Sequence, residues 1–290
     1  MTGRDRFEYA TEQDPALNYC LWQYTRSAPT ADKFRPVNLL FQSFDRAGMD
    51  DRAYDLVEAI REAIGAFRTV FGIKLLEGKR LAWEFYFYDY LRRSRQVSIS
   101  RVLAAIEPFA RSAIRANEAL PYFMFSLDVD ADLVSGARDM DVVHMYVGNP
   151  GSTVSSGIAY ALRRGGATLE NFYFFFDARR QLAEASDKIC CSAHFDATRF
   201  AVEQILVPEL RACETICVAN KSTHDCVYFS GIDVDQLIFF LERLAYPQDI
   251  VAFVQENRAN LDHLLFDVGF DYRTTDQGLL VLKSGYYGVF

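Results

Sequence analysis

Ring-rich, alternating stretches recur along this chain in pairs, and that recurrence restricts the fold more than any other feature. Strand-like alternation falls at 69–76, 80–90, 122–130, 140–148, 170–177, 188–195, 215–221, 225–231, 264–272 and 278–289. Read as hairpins, the pairs begin at 69, 122, 170, 215 and 264, so successive starts lie 53, 48, 45 and 49 residues apart. Segments of helical period separate them: RAYDLVEAIREAIGAF after Asp51, SRVLAAIEPFARSAI after Ser98, SSGIAYALRRG, ATRFAVEQILVPELRA and DVDQLIFFLERLAYPQDIVAFVQENRANL. Ser98 and Asp233 suit N-caps, and Pro247 sits where one helix must stop and the next begin.

Five hairpin-and-helix units cannot bury their faces singly, so repetition must supply the core. Closing ten antiparallel strands into a barrel removes exposed edges, and a ring of helices then covers the outside. The expectation is an α+β chain: a closed ten-stranded antiparallel β-barrel surrounded by a ring of α-helices, in five repeats of about 50 residues. One domain spans 1–290, with 1–50 as an N-terminal lead-in, and the lumen is wide enough for a ligand. A sandwich or layered α+β domain satisfies the same alternation, with its mixed face in solvent; the five hairpins favour closure.

Face alternation is explicit in LAWEFYFY (81–88), because successive side chains of a strand point to opposite sides. Leu81, Trp83, Phe85 and Phe87 share one side, and Ala82, Glu84, Tyr86 and Tyr88 the other. The same split sets Phe123, Phe125, Leu127 and Val129 against Met124, Ser126, Asp128 and Asp130, and Val143, Met145 and Val147 against Val142, His144 and Tyr146. The mixed face is the candidate lumen lining, and Glu84 points into it. A buried carboxylate needs a cation or strong donors, otherwise it neutralises.

Half the residues are apolar, which suits a large core. A net charge of −8 gives no general attraction to nucleic acid or anionic membrane. Without a spanning apolar run or a secretory leader at MTGRDRFEYATEQD, the expectation is a cytoplasmic protein, a monomer, with no nucleic acid or membrane partner. Cys20, Cys190, Cys191, Cys213, Cys217 and Cys226 contain no CxxC pair and read as reduced, buried thiols, Cys190 and Cys191 on opposite faces of a strand. His144, His194, His224 and His263 lack metal-ligand spacing, and DVDAD (128–132) lacks the glycine of a calcium loop, so no metal ligands are expected. There is no phosphate-loop motif; NPGSTVSSG (149–157) has no lysine and reads as a strand-to-helix turn.

Several segments carry a family resemblance: NLLFQSFDRAG (38–48), GIKLLEGKRLAWEFYFYD (72–89), FSLDVDADL with MDVVHMYVGNPG, ANKSTHDCVYFSGID (219–233), and the closing LDHLLFDVGFDYRTTDQGLLVLKSGYYGVF. In element order and length the chain resembles the ABBA-type aromatic prenyltransferases, whose repeated units form a ten-stranded barrel around the active site. Among them it is most similar to the cyanobactin peptide prenyltransferases. That resemblance implies an enzyme transferring a dimethylallyl or geranyl group from an isoprenoid diphosphate donor to a side chain of a peptide acceptor. Mg²⁺ would be held mainly by the diphosphate and water. The same barrel could instead prenylate a free small aromatic, or bind an amphipathic ligand without catalysis.

Prenyl transfer requires an anion cradle for the diphosphate. By alternation Lys74, Lys221 and Lys283 project inward, with Tyr228 and Tyr287 as hydroxyl donors; Lys188 and Arg273 are weaker candidates. Tyr86, Tyr88, Tyr146, Tyr228 and Tyr287 can present ring faces to an allylic cation and exclude water. Glu84 stands where the family commonly has a basic diphosphate ligand, and Val142 replaces a further lysine. Glu84, with Asp128 or Asp141, is therefore expected to orient and deprotonate the acceptor, and His144 to share in proton handling.

Overall fold

In the computed structural model, which describes residues 6–16, 24–89, 95–149 and 155–290, ten strands close into one antiparallel barrel. They are β1 (Thr69–Leu75), β2 (Leu81–Tyr88), β3 (Tyr122–Val129), β4 (Val143–Gly148), β5 (Ser155–Arg163), β6 (Gly166–Asp177), β7 (Thr215–Asn220), β8 (Asp225–Ile232), β9 (Phe266–Thr275) and β10 (Gly278–Val289). Each pairs with its neighbours in chain order, and β1 pairs with β10 from Val70↔Val289 to Leu75↔Ser284, which leaves no open edge.

Eight helices among the described residues lie before or between strands. α1 (Val37–Ala47) and α2 (Arg52–Ile64) precede the barrel, α3 (Ile99–Ile106) follows β2, and the short α4 (Ala131–Ser135) joins β3 to β4. α5 (Leu182–Cys190) follows β6, and α6 (Val234–Arg243), α7 (Gln248–Glu256) and α8 (Arg258–Leu261) connect β8 to β9. Ser98 caps α3 by accepting from Arg101 N–H, and Asp233 forms a capping box with Gln236 on α6. Pro247 separates α6 from α7.

The outward side chains are apolar because helices cover them. Phe71, Trp83, Phe85, Phe87, Phe125, Leu127 and Tyr286 join Leu40 and Phe44 of α1 and Leu56 and Ile60 of α2 in one buried cluster. Trp83 shows how the layer is keyed: its ring meets Phe44 edge-on at 5.0 Å, and its Nε1 donates to Ser43 Oγ at 2.8 Å. A separate cluster fills the inside of the barrel, including Val70, Tyr86, Met124, Tyr146 and Tyr287.

The structure corrects three local expectations. SSGIAYALRR is strand β5, not a helix: Ile158, Tyr160 and Leu162 alternate with Gly157, Ala159 and Ala161. The small residues face the lumen, with Ala159 opposite Tyr146 and Ala161 opposite His144, so alanine there makes room for large partners although it favours helix locally. Residues 188–195 are the end of α5 and a turn rather than a strand, so Cys190 and Cys191 are exposed, not buried. ATRFAVEQILVPELRA forms only two short 3₁₀ turns, Val202–Gln204 and Pro208–Leu210.

True hairpin starts are therefore 69, 122, 155, 215 and 266, spaced 53, 33, 60 and 51 residues. Five hairpins stand, but the even period does not. The helical cover thins beside β6, where Leu169 and Phe172 remain 53% and 38% exposed. Residues 150–154 of the NPGSTVSSG turn and Cys20 lie outside the described residues; Gly148 and Ser155 on either side belong to strands, so the segment joins strand to strand. Cys213, Cys217 and Cys226 are buried and free. No helix among the described residues is long and apolar enough to cross a membrane.

Candidate active site in the barrel lumen

Strand direction sorts the inward side chains into two zones. The loops that join the strands within each hairpin lie at one end of the barrel, and on three strands the inward charge lies nearer that end than the ring does: Glu84 before Tyr86 on β2, His144 before Tyr146 on β4, Lys283 before Tyr287 on β10. Register locks these positions together. Gly72 of β1 faces Glu84, Glu84 faces Asp128, and Ser126 faces His144.

The first charged group answers what Glu84 faces. Its carboxylate is paired with Lys74 Nζ and accepts from Ser126 Oγ, while Lys74 also contacts Asp128 Oδ1 at 3.1 Å. Ser126 Oγ lies 3.3 Å from Tyr146 Oη. His144 bridges outward, with Nε2 3.1 Å from Asp128 and Nδ1 2.7 Å from Glu170. Burial pushes the Glu84 carboxyl up, but Lys74 and His144 together bring the net shift downward. Asp128 is held well below the usual carboxylate range against its own burial by Lys74 and His144. For His144, burial disfavours the imidazolium, yet the bonds to Asp128 and Glu170 raise it to about 10. It is a fixed cation at neutral pH rather than a group titrating there.

The second group centres on Asp271 of β9, which is 2% exposed. Lys221 Nζ contacts both its oxygens, at 3.0 and 2.9 Å. His224 Nε2 lies 2.8 Å from Oδ2, and Lys283 Nζ lies 3.4 Å away. Burial opposes ionisation of Asp271, but Lys221 leads the contacts that hold it far below the ordinary range. The two groups balance: Lys74, Lys221, Lys283 and the His144 imidazolium stand against Glu84, Asp128, Glu170 and Asp271. The lumen thus collects amines, as its alternation predicts, but neutralises them internally.

Beyond the charges lies a layer of tyrosines. Tyr287 meets Tyr86 at 5.9 Å between ring centroids and Tyr228 at 6.2 Å, and Tyr146 meets Tyr173 at 5.6 Å. Burial raises the phenols of Tyr146, Tyr173, Tyr228 and Tyr287, which keeps them neutral. Two rings lie close against glycine backbone. A Cβ on Gly72 would come within 2.5 Å of Tyr287, and one on Gly269 within 2.4 Å of Tyr228 and 2.9 Å of the Val227 carbonyl. Because that backbone cannot retreat, Gly269→Ala is expected to cost about 2–3 kcal/mol by overpacking; an unchanged urea midpoint would contradict the ring placement.

Little space is left at the charged end of the lumen among the described residues. Between Lys74, Glu84, Tyr86, Tyr228, Asp271, Lys283 and Tyr287 there is room of about 20 Å³, enough for about one water. Ligand sites usually offer about 300–1,000 Å³. A larger occupant at this point must displace some of these rings and ion pairs.

Of the other candidates, Asp141 is paired with Arg163 at the surface, Lys188 lies over the Phe174 ring at 4.0 Å outside the barrel, and Arg273 is exposed. Sequence reasoning missed Asp271, Tyr173, Glu170 and His224 as lumen residues. Asp271 carried a readable signal, since Asp267, Gly269 and Asp271 alternate with Phe266, Val268, Phe270 and Tyr272. Glu170 carried none, because it enters through a register shift between Ala159 and Tyr160 in the β5–β6 pairing. Among the described residues no group of His, Cys, Asp and Glu is arranged to hold a metal ion.

No protein-family profile and no curated protein matches the chain. Among solved structures its fold is similar to NotF prenyltransferase, with a TM-score of 0.54, 10% identity, and 87% of this chain and 92% of that chain covered. It is similar also to 5-dimethylallyltryptophan synthase from Streptomyces coelicolor, with a TM-score of 0.51, 10% identity and coverages of 86% and 94%. The complex of that enzyme with DMASPP and Trp gives 0.53, 10%, 86% and 92%. The likeness is one of fold.

Proposed function

We propose that the protein is a prenyltransferase that moves a dimethylallyl or geranyl group from its diphosphate to a peptide side chain inside the barrel. The observation that carries this reading is the polarised lumen, with Lys74, Lys221 and Lys283 converging at one end and a wall of neutral tyrosines beside them. A purely lipid-binding barrel has no use for that buried amine cluster. A second reading, transfer to a free aromatic amino acid, is favoured by the tryptophan bound in one structural relative.

The chemistry follows from charge. As the allylic C–O bond breaks, the diphosphate keeps the electron pair and the lysine ammonium groups stabilise it. Ring faces of Tyr86, Tyr146, Tyr228 and Tyr287 stabilise the cationic carbon and keep water out. The acceptor's lone pair or ring carbon then forms the new bond and gives up a proton, which the departing pyrophosphate takes. The Glu84 carboxyl is shifted downward, so it is a hydrogen-bond acceptor and a weak base. Its role is to orient an N–H or O–H of the acceptor, with Asp128 beside it. Glu84 and Asp128 are committed to Lys74, so Mg²⁺ would be held chiefly by diphosphate oxygens and water.

Glu84→Gln is expected to lower turnover about a hundredfold and to hold the donor no less tightly, since Lys74 loses a competing carboxylate. Unchanged turnover would remove the carboxylate from the reaction. The reading as a whole is tested by titrating dimethylallyl thiolodiphosphate, a non-reacting donor, with Mg²⁺. Saturable binding is expected, and its absence would overturn both acceptor readings.

A further inference from the structure

Asp271 is densely bound. Lys221 spans both of its oxygens, His224 reaches Oδ2, and Lys283 stands 3.4 Å off. One negative charge cannot balance two ammonium groups. Lys283 is the surplus one, 36% exposed at its side chain and without a second acceptor among the ion pairs of the described residues. Lys74 and then burial depress its pKa, so its ammonium is the least stabilised of the three lysines. The small lumen cavity is bordered by Asp271, Lys283 and Lys74 together.

That geometry is an anion site already filled from within. Without Asp271 the lysines would repel one another in a dry interior and hold an entering anion more tightly. With it they are already balanced, and no free cradle is left. We propose that Asp271 is an internal surrogate for the donor's diphosphate: it holds Lys221 and Lys283 in the free protein, yields them when a diphosphate enters, and recaptures them as pyrophosphate departs. This rests on the reading that the lumen accepts a diphosphate.

The exchange is chemically favourable for a multiply charged ligand. A diphosphate offers more charge and more acceptor oxygens to the same lysines than one carboxylate can. A singly charged anion offers no such advantage, so Asp271 screens out chloride and similar ions. His224, in the turn between β7 and β8, remains available to Asp271 after the lysines leave. Asp271 is therefore a specificity residue that never touches the transferred carbon.

The test uses inorganic pyrophosphate, titrated by calorimetry into the full chain and into Asp271→Asn. The variant is expected to bind pyrophosphate about tenfold or more tightly than the natural chain, and to gain affinity for chloride. Equal or weaker binding by a variant with native circular dichroism, or no binding by either protein, would overturn the proposal. Should Asp271→Asn not fold, a crystal structure of the natural chain with pyrophosphate decides: the Lys221–Asp271 contact opens, or it persists near 2.9 Å and the idea is lost. Prenyl transfer with that contact intact would overturn the surrogate alone. Pyrophosphate exchange without transfer would overturn the catalytic reading alone.

Discussion

Replacing Lys74 with methionine is expected to cost about 3–5 kcal/mol of folding stability, the penalty for leaving buried partner charges unpaired. Lys74 is 8% exposed and Glu84 6%, and the ammonium touches both Glu84 and Asp128. Methionine fills similar space, so the loss is electrostatic. Two facing carboxylates would remain, with Ser126 and His144 as their nearest polar neighbours. Adding Glu84→Gln to Lys74→Met should then restore more than about 1 kcal/mol, because the two substitutions act on one contact. Urea denaturation of the four proteins in the cycle measures this. A loss under about 1 kcal/mol for the single variant would mean that water reaches the pair.

Lys283→Met should behave in the opposite way. Lys283 is repelled by Lys74 and Lys221 and shares an Asp271 that Lys221 and His224 already satisfy. Its removal relieves like-charge crowding, so the denaturation midpoint should hold or rise. Catalysis should nevertheless fall by about a hundredfold to a thousandfold in kcat/KM, since the leaving diphosphate loses its least committed cation. Steady-state kinetics alongside denaturation separate the two effects. A variant that loses stability and keeps its rate would assign Lys283 to the fold instead.

These opposite expectations for two lysines on adjacent strands come from register, which bears on what the sequence can reveal. Alternation in LAWEFYFY was enough to send Glu84 and Tyr86 inward and Trp83, Phe85 and Phe87 outward, and the structure has them so. A period of two is robust when one face is uniformly aromatic and the other is not. It failed at β5, where the lumen face is Gly157, Ala159 and Ala161, whose small side chains resemble a helix former's pattern. It failed again at Glu170, because one shifted residue in β6 reverses the faces.

Charge balance was harder still to read. Lys74, Lys221 and Lys283 are visible as inward lysines, but their partners come from other strands: Lys74 finds Asp128 across 54 residues and Lys221 finds Asp271 across 50. Only the closed order of strands brings them together. The same closure brings Tyr86, Tyr146, Tyr173, Tyr228 and Tyr287 together, and about 20 Å³ is left beside the charged groups.

The central claim is that this charge-paired lumen admits a prenyl diphosphate and transfers its hydrocarbon. The most direct measurement is mass spectrometry of reactions containing the protein, Mg²⁺, dimethylallyl or geranyl diphosphate, and a panel of cyclic and linear peptides with free aromatic amino acids. The account predicts an acceptor that gains one prenyl group with equimolar release of pyrophosphate, and loss of both with Lys283→Met. If no acceptor gains mass and no pyrophosphate appears with either donor, the barrel is not a prenyltransferase.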